Sequence, residues 1–280
     1  MDTDLLRCEN MTVCYGEKRI VSDIHFSLNP GEILGVVGES GSGKSTILRA
    51  LLGILKPGGR ITDGTIIFRQ RNLPELSEKE MRKIRGREIG MIFQDSGASL
   101  CPIRTIGAQM YESMSAHRKI TKKETARSAL EIFERLGLED GERILRSYPF
   151  MLSGGMNQRV GIAMAMLHRP PLLLANEPTS ALDTVTQKQT VEEMLALREI
   201  YDTAIILVTH NIGVVEAMAD KVLVLHEGRQ EEYGPAAQVL RCPQAEYTKE
   251  LLAAVPRLRR KGSGKHDETD TGSKKSDSTI

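Results

Sequence analysis

The chain has 280 residues, 40% of them hydrophobic and 27% charged, with a formal net charge of +1 at pH 7. That is enough apolar material for a full globular core. The near-neutral balance and an aromatic content of 4% argue against a nucleic-acid surface, which needs a basic field and stacking rings. Apolar runs such as Ile33–Val37, Pro170–Ala175 and Ala204–Val208 fall far short of the roughly 20 residues of a membrane span, so any membrane contact is expected through partners.

In chain order, the acidic start Met1-Asp2-Thr3-Asp4 lacks the basic-then-apolar pattern of a signal peptide, and a cytosolic chain is expected. Leu6–Val13 and Ile24–Leu28 alternate as strands, and Glu32–Val37 is an apolar strand that runs straight into Gly38-Glu39-Ser40-Gly41-Ser42-Gly43-Lys44-Ser45. Ser45–Leu52 reads as the helix that this loop caps. A Gly-x4-Gly-Lys-Ser loop between a strand and a helix offers backbone N–H groups, one ammonium and one hydroxyl to a triphosphate and its magnesium ion. Lys44 is expected on the β- and γ-phosphates and Ser45 on the metal, while Gly41, Gly43 and Thr46 bring the backbone close. By itself the loop says only that the chain binds a nucleotide.

The Lys56–Arg60 turn and Thr62-Asp63-Gly64 precede a strand at Thr65–Phe68, then a charged helix near Ser77–Arg85 and a strand at Glu88–Phe93. Between Gln94 and about Leu167 the pattern is helical, most clearly at Thr121–Leu136, and predicts a helical insert at about residues 95–167. Within it, Ser153-Gly154-Gly155 precedes a helical run and supplies a second ring of amides suited to a γ-phosphate. A buried strand, Leu172–Ala175, delivers Asn176 and Glu177 at its C-terminal end, where ligands of open α/β sheets bind. A helix at about Thr184–Ile200, a strand at Ala204–Val208, a short helix and a strand at Lys221–Leu225 follow, and Leu240–Val255 reads as an extra helical lobe. Alternating strands and helices predict a parallel-type sheet covered on both faces. The charged, Gly/Ser-rich residues 257–280 are predicted to be disordered. Cys8, Cys14, Cys101 and Cys242 have no metal-ligand spacing and read as reduced thiols.

The phosphate loop and Leu152-Ser153-Gly154-Gly155-Met156-Asn157-Gln158-Arg159 together resemble the ATP-binding cassette of ABC ATPases. The resemblance implies an α/β P-loop NTPase with a RecA-like parallel-sheet core, an antiparallel β subdomain and a helical subdomain. It places the cassette at residues 1–235, a family extension at 236–256 and the tail beyond. ATP and Mg2+ are the implied cofactors. Gly38, Ser40, Gly41, Gly43, Lys44, Ser45 and Thr46 hold the nucleotide, with Tyr15 stacked on adenine. Ser153, Gly154 and Gly155 close over the γ-phosphate of an opposite cassette, and Asp183, in Ser180-Ala181-Leu182-Asp183, touches that cassette. Glu177 is the implied general base, His210 orients the γ-phosphate, water and base, and Gln94 reaches metal and water. Ser45, Gln94 and, through water, Asn176 are the metal positions.

Within the superfamily, Met156-Asn157-Gln158-Arg159, the Ile92–Pro102 segment and Tyr247–Pro256 resemble the peptide and nickel importer branch. Partners implied are a second ATPase subunit, transmembrane permease subunits and an extracytoplasmic substrate-binding protein, with the chain at the cytoplasmic face of the membrane. Some relatives carry a cysteine cluster near the C-terminus; Cys242 stands alone here. The chain departs from the family at Asn176 and Asn211, where aspartate is usual, at Ser96 in place of proline and at Cys101 in place of asparagine. Asn176 keeps an acceptor but loses a charge, a deficit of about 1–2 kcal/mol or about tenfold in metal-nucleotide affinity. Two other readings stand beside an importer motor: a weakly catalytic cassette that binds ATP to hold a heterodimer, and a cassette outside transport.

Overall fold

The computed structural model describes residues 4–180 and 182–254; the predicted disordered tail at 257–280 lies outside them. In chain order the elements are β1 (Leu6–Tyr15), β2 (Lys18–Leu28), β3 (Ile33–Gly38), α1 (Lys44–Leu52), β4 (Gly59–Phe68), β5 (Arg71–Asn72), α2 (Glu78–Ile84), β6 (Ile89–Ile92), α3 (Ser96–Ser99), α4 (Ile106–Ser115) and α5 (Lys122–Arg135). They continue with α6 (Gly141–Arg146), α7 (Gly154–Met166), β7 (Leu172–Asn176), α8 (Thr184–Tyr201), β8 (Ala204–Val208), α9 (Ile212–Met218), β9 (Lys221–His226), β10 (Arg229–Pro235), α10 (Ala236–Arg241) and α11 (Glu246–Ala253).

All described strands join one sheet in the order β5-β4-β1-β2-β10-β9-β3-β8-β7-β6. From β9 to β6 neighbouring strands are parallel. β10 turns back antiparallel on β9 and touches β2 through the Arg229–Ser22 bridge, beyond which β2, β1, β4 and β5 are antiparallel. The parallel part is buried on both faces, and the two-residue pleat divides its side chains between two cores. Leu34, Val36, Leu172, Leu174, Ile206 and Val208 point to the side covered by Ile47, Leu48 and Leu51 of α1. Leu173, Ala175, Ile205 and Leu207 point to the other, against α7 and α8. Each of the buried Leu, Ile and Val side chains among these contributes about 1.5–3 kcal/mol of transfer free energy, so the strand register is held firmly.

Helix starts follow their caps. Ser77 and Thr121 form capping boxes with Glu80 and Glu124 at α2 and α5, and Asp183 caps α8 through the N–H groups of Val185 and Thr186. Several elements differ from the sequence expectation, β10 (Arg229–Pro235) having no counterpart in it. β2 begins at Lys18 and not Ile24, because a tight turn after Tyr15 folds it back on β1 with Tyr15 opposite Lys18. β4 begins at Gly59, since residues expected as a turn pair with β1 in a bulged register. The C-terminal lobe is helical as expected but begins at Ala236 and not Leu240, and it holds two helices: Pro243 disfavours helical geometry at Cys242, whose φ is −133°, and α10 stops there.

Candidate nucleotide site

The register of the parallel strands brings the ends of four of them level. Ile92 pairs with Ala175, Asn176 with Val208, and Val208 with Val36. Beyond these ends lie Gln94, Glu177, Thr209–His210 and the loop 38–45, so residues far apart in sequence meet along one edge of the sheet.

The loop is shaped by close approaches. Gly38 has φ +147°, and a Cβ there would sit 2.0 Å from the Leu225 carbonyl oxygen; at Gly43, with φ +103°, a Cβ would sit 2.3 Å from Val21 Cγ1. Gly38→Ala is therefore expected to lower stability by on the order of 3 kcal/mol through overpacking and left-handed strain; thermal unfolding checks it, and an unchanged midpoint would contradict the geometry. Lys44 Nζ is buried and donates to Gly38 O at 2.7 Å and Glu39 O at 2.6 Å. Burial pulls its pKa below the ordinary lysine value, with Glu177 and Glu39 pulling the other way. Ser42 Oγ is buried without a hydrogen-bond partner among the described residues, while Ser40 and Gly41 are exposed. Thr46 N–H bonds Gly43 O at 2.9 Å as α1 begins.

Ser45 Oγ donates to Asn176 Oδ1 at 3.1 Å, joining the loop to the end of β7. The next residue, Glu177, has φ +51°, a left-handed conformation costing on the order of 1–3 kcal/mol, and its N–H bonds Val208 O at 2.8 Å. This bend turns the carboxylate onto the end of β8. Oε1 accepts from His210 N–H at 3.1 Å and lies 2.9 Å from His210 Nδ1; Oε2 accepts from the Thr209 hydroxyl at 3.3 Å. An ionised carboxylate can only accept, so Nδ1 carries the proton and Nε2 has no intramolecular hydrogen bond among the described residues. The Glu177 side chain is 12% exposed and that of His210 70%, an arrangement of inward carboxylate and outward imidazole.

The remaining predicted residues stand further off. Gln94 is exposed and makes no side-chain hydrogen bond among the described residues. Tyr15 lies at the end of β1, its hydroxyl accepting from Lys56 N–H at 3.1 Å. Ser153 caps α7, accepting from Met156 N–H at 3.2 Å; Ser153 and Gly154 are exposed, and no hydrogen bond among the described residues ties Ser153–Gly155 to the phosphate loop. The Asp183 carboxylate is held below its ordinary pKa by the Thr186 hydroxyl and then by backbone N–H groups.

Sequence reasoning missed the side chains that connect these parts. Gln158 Nε2 on α7 donates to Pro178 O at 2.5 Å, next to Glu177. Arg159 on the same helix makes a buried ion pair at 3.1 Å with Glu193 of α8. Asn211 Nδ2 donates to Gln187 Oε1, and Gln187 Nε2 to Thr179 Oγ1, linking the His210 turn to the segment after β7. Gln158 lies one helical turn before Ile162, a fully buried apolar residue, and that spacing is the signal that marks it as facing inward.

The donors on this edge fit a magnesium nucleotide: a glycine cradle that a Cβ would fill, a lysine whose ammonium is satisfied only by loop carbonyls, and a hydroxyl paired with a carboxamide oxygen. The family model described as ABC transporter matches residues 21–180, a span that contains the phosphate loop, Ser153–Gly155 and Glu177. The chain belongs to the ABC transporter family. It is 40% identical over 259 residues to the dipeptide transport ATP-binding protein DppD of Bacillus subtilis, covering 91% of this chain and 77% of the relative. It is 39% identical over 256 residues to the metal-staphylopine import system ATP-binding protein CntD of Staphylococcus aureus, covering 91% and 94%. It is 43% identical over 248 residues to the oligopeptide transport ATP-binding protein OppD of Salmonella typhimurium, covering 89% and 74%. Among solved structures, a dimeric ATP-binding cassette in a post-hydrolysis state bound to ADP and Pi superposes with a TM-score of 0.73 at 29% identity, covering 82% of this chain and 98% of that one. A cassette of the cbiONQ transporter complex of Clostridium perfringens gives 0.74 at 26% identity, covering 85% and 91%. The chain is thus an ABC ATPase, with an α/β cassette of mixed, helix-covered sheet.

Proposed function

We propose that this cassette is the ATP-hydrolysing subunit of an importer, working at the cytoplasmic face of the membrane with a second cassette and with permease subunits. Its cargo, received through an extracytoplasmic binding protein, is proposed to be a peptide, nickel or a metal chelate, the classes to which the named relatives and the importer-branch motifs point. The observation that carries the proposal is the Glu177 carboxylate, held by Thr209 and His210 beside the Ser45–Asn176 pair at the mouth of the glycine loop.

In this reading Lys44 and the loop amides bind the phosphates, and Tyr15 stacks on the base. Ser45, Gln94 and, through water, Asn176 would hold magnesium, which supplies charge that neutralises the phosphate oxygens. Glu177 takes the proton of the attacking water, while His210 Nδ1–H and the Thr209 hydroxyl fix the carboxylate's direction. Ser153 and Gly154 are exposed, with Gly155 half-buried behind them, so that the three can close over the nucleotide of the opposite cassette, next to Asp183. Gln158, reaching the carbonyl of Pro178, then makes closure on one nucleotide felt beside the base that acts on the other. A groove of about 320 Å3 lined by Phe93, Ser96, Leu100, Cys101, Arg104 and Gln109 lies between the sheet and the helical insert and offers a seat for a permease segment.

Copurification with membrane subunits encoded beside it, together with magnesium-dependent hydrolysis, tests the proposal; a chain that hydrolyses ATP but never enters a membrane complex would contradict the transport role. A cassette that only binds ATP is disfavoured by the retained Glu177–His210 pair. Asn176→Asp is expected to lower the magnesium concentration for half-maximal turnover about tenfold, because a charged acceptor replaces a neutral one. A magnesium titration of both forms checks this, and coincident curves would show that the carboxamide costs the site nothing.

A further inference from the structure

The last described helix is fastened to the phosphate loop. The Tyr247 hydroxyl on α11 accepts a hydrogen bond from Glu39 N–H at 3.3 Å, across 208 residues of sequence. Its ring packs on that of His226, with centroids 3.9 Å apart and planes tilted by 34°. His226 ends β9 and directly follows Leu225, whose carbonyl is the atom against which Gly38 closes. The next turn reaches the loop as well, since Gly228 N–H bonds Ser42 O at 3.1 Å. The end of β9, the loop and α11 therefore form one contact region.

The helix has its own anchors, independent of that hydroxyl. The Glu232 carboxylate accepts from the N–H groups of Gln244, at 3.0 and 3.2 Å, and of Ala245, at 3.1 Å, just ahead of α11. Leu251 and Leu252 pack with Tyr247 on the cluster of Val37, Val222 and Val224, and Val37 is the residue before Gly38. Burial pushes the Tyr247 phenol above its ordinary pKa, against the Glu39 amide. It stays a neutral hydroxyl near neutral pH, free to accept from an amide.

Both backbone polar groups of Glu39 are thus engaged, one in each of its flanking peptide units: the N–H by Tyr247, the carbonyl by Lys44. An anion cradle built from backbone amides depends on those amides being set in direction before the anion arrives. Glu39 leads into the exposed Ser40–Gly41 turn, where the flanking glycines resist rotation least. We infer that Tyr247 is a positioning residue for the phosphate loop, through which docking of the C-terminal helix presets the loop and raises its affinity for nucleotide. The inference rests on residues 38–45 being the nucleotide site.

The test uses the full chain and a fluorescent ATP analogue with magnesium, comparing native protein with Tyr247→Phe, which keeps the ring on His226 and removes the hydroxyl. The loss of one neutral hydrogen bond is expected to weaken binding of ATP and ADP alike by about two- to tenfold. In the assembled transporter KM for ATP rises by the same factor while kcat at saturation stays, and hydrogen exchange at Glu39 and Ser40 accelerates without nucleotide. The thermal midpoint without nucleotide stays close to native, since Glu232 and the leucines still hold the helix. His226→Ala, which removes the ring contact and leaves the hydroxyl, is expected to give a weaker version of the same KM-only pattern. Native affinity in Tyr247→Phe, or a loss confined to kcat, overturns the inference and leaves the nucleotide site standing. Failure of the native chain to bind magnesium ATP overturns both.

Discussion

Glu177→Gln is expected to lower the kcat of ATP hydrolysis by about 10²- to 10⁴-fold, the range for loss of a positioned general base, while leaving magnesium ATP affinity within about threefold. Glutamine matches the carboxylate in shape, so the contacts of the native site can be partly kept: an amide oxygen can still accept from His210 N–H at the Oε1 position, 3.1 Å away in the native site. What disappears is the ability to take a proton from water. Binding should persist because the loop amides, Lys44 and Ser45 are untouched. Steady-state turnover and nucleotide titration of the same preparation separate the two quantities. Turnover close to native would move the base elsewhere, and a parallel loss of binding would mean that Glu177 holds the loop.

Lys44→Ala is expected to act in the opposite way, on binding first. The ammonium donates to two loop carbonyls at 2.7 and 2.6 Å and is nearly buried. Its charge is therefore poorly hydrated before nucleotide arrives, and burial already lowers its pKa, with the nearby Glu177 and Glu39 in opposition. Phosphate oxygens are better acceptors than neutral carbonyls, and charge-assisted bonds contribute roughly 1.5–3 kcal/mol each. One to two such bonds correspond to a rise in Kd for magnesium ATP of about 10²-fold. Calorimetric titration reads this directly. Lys44→Arg should not restore affinity, because a planar guanidinium does not fit a seat made for a compact ammonium. Native affinity in Lys44→Ala would remove the lysine from the phosphate site.

The parts of the fold that were legible in the sequence are those where one physical demand dominates. β3, β7 and β8 are buried on both faces and written as unbroken apolar runs, and the glycines of the loop stand where φ is positive or the backbone closes on Leu225 and Val21. Glu177 was visible as the polar residue that ends a buried strand. The rest was hidden for reasons that differ by element. The first half of β2 and all of β10 are polar and partly exposed, with residues such as Lys18, Arg19, Gln230 and Glu231 that carry no clean alternation. Their pairing is set by a turn and by the neighbouring strand. The C-terminal lobe was legible as helical, and Pro243 marks where its two helices part.

Site residues divide similarly. Lys44, Ser45 and Glu177 belong to local patterns that carry their own chemistry. Thr209, Gln158 and Tyr247 act through contacts with Glu177, Pro178 and Glu39 that only the register of the sheet and the docking of helices create. Gln94, Ser153 and Gly154 are exposed, as residues that complete a site only with metal or a second cassette would be.

The most direct measurement is magnesium-dependent ATP turnover by the chain coexpressed with its neighbouring transport subunits, native against Glu177→Gln in the same complex. The account predicts turnover in the native complex and a loss of about a hundredfold or more in the variant, with complex assembly and ATP binding retained. Equal rates in the two complexes would contradict the assignment of Glu177, held by His210 and Thr209, as the base that drives the motor.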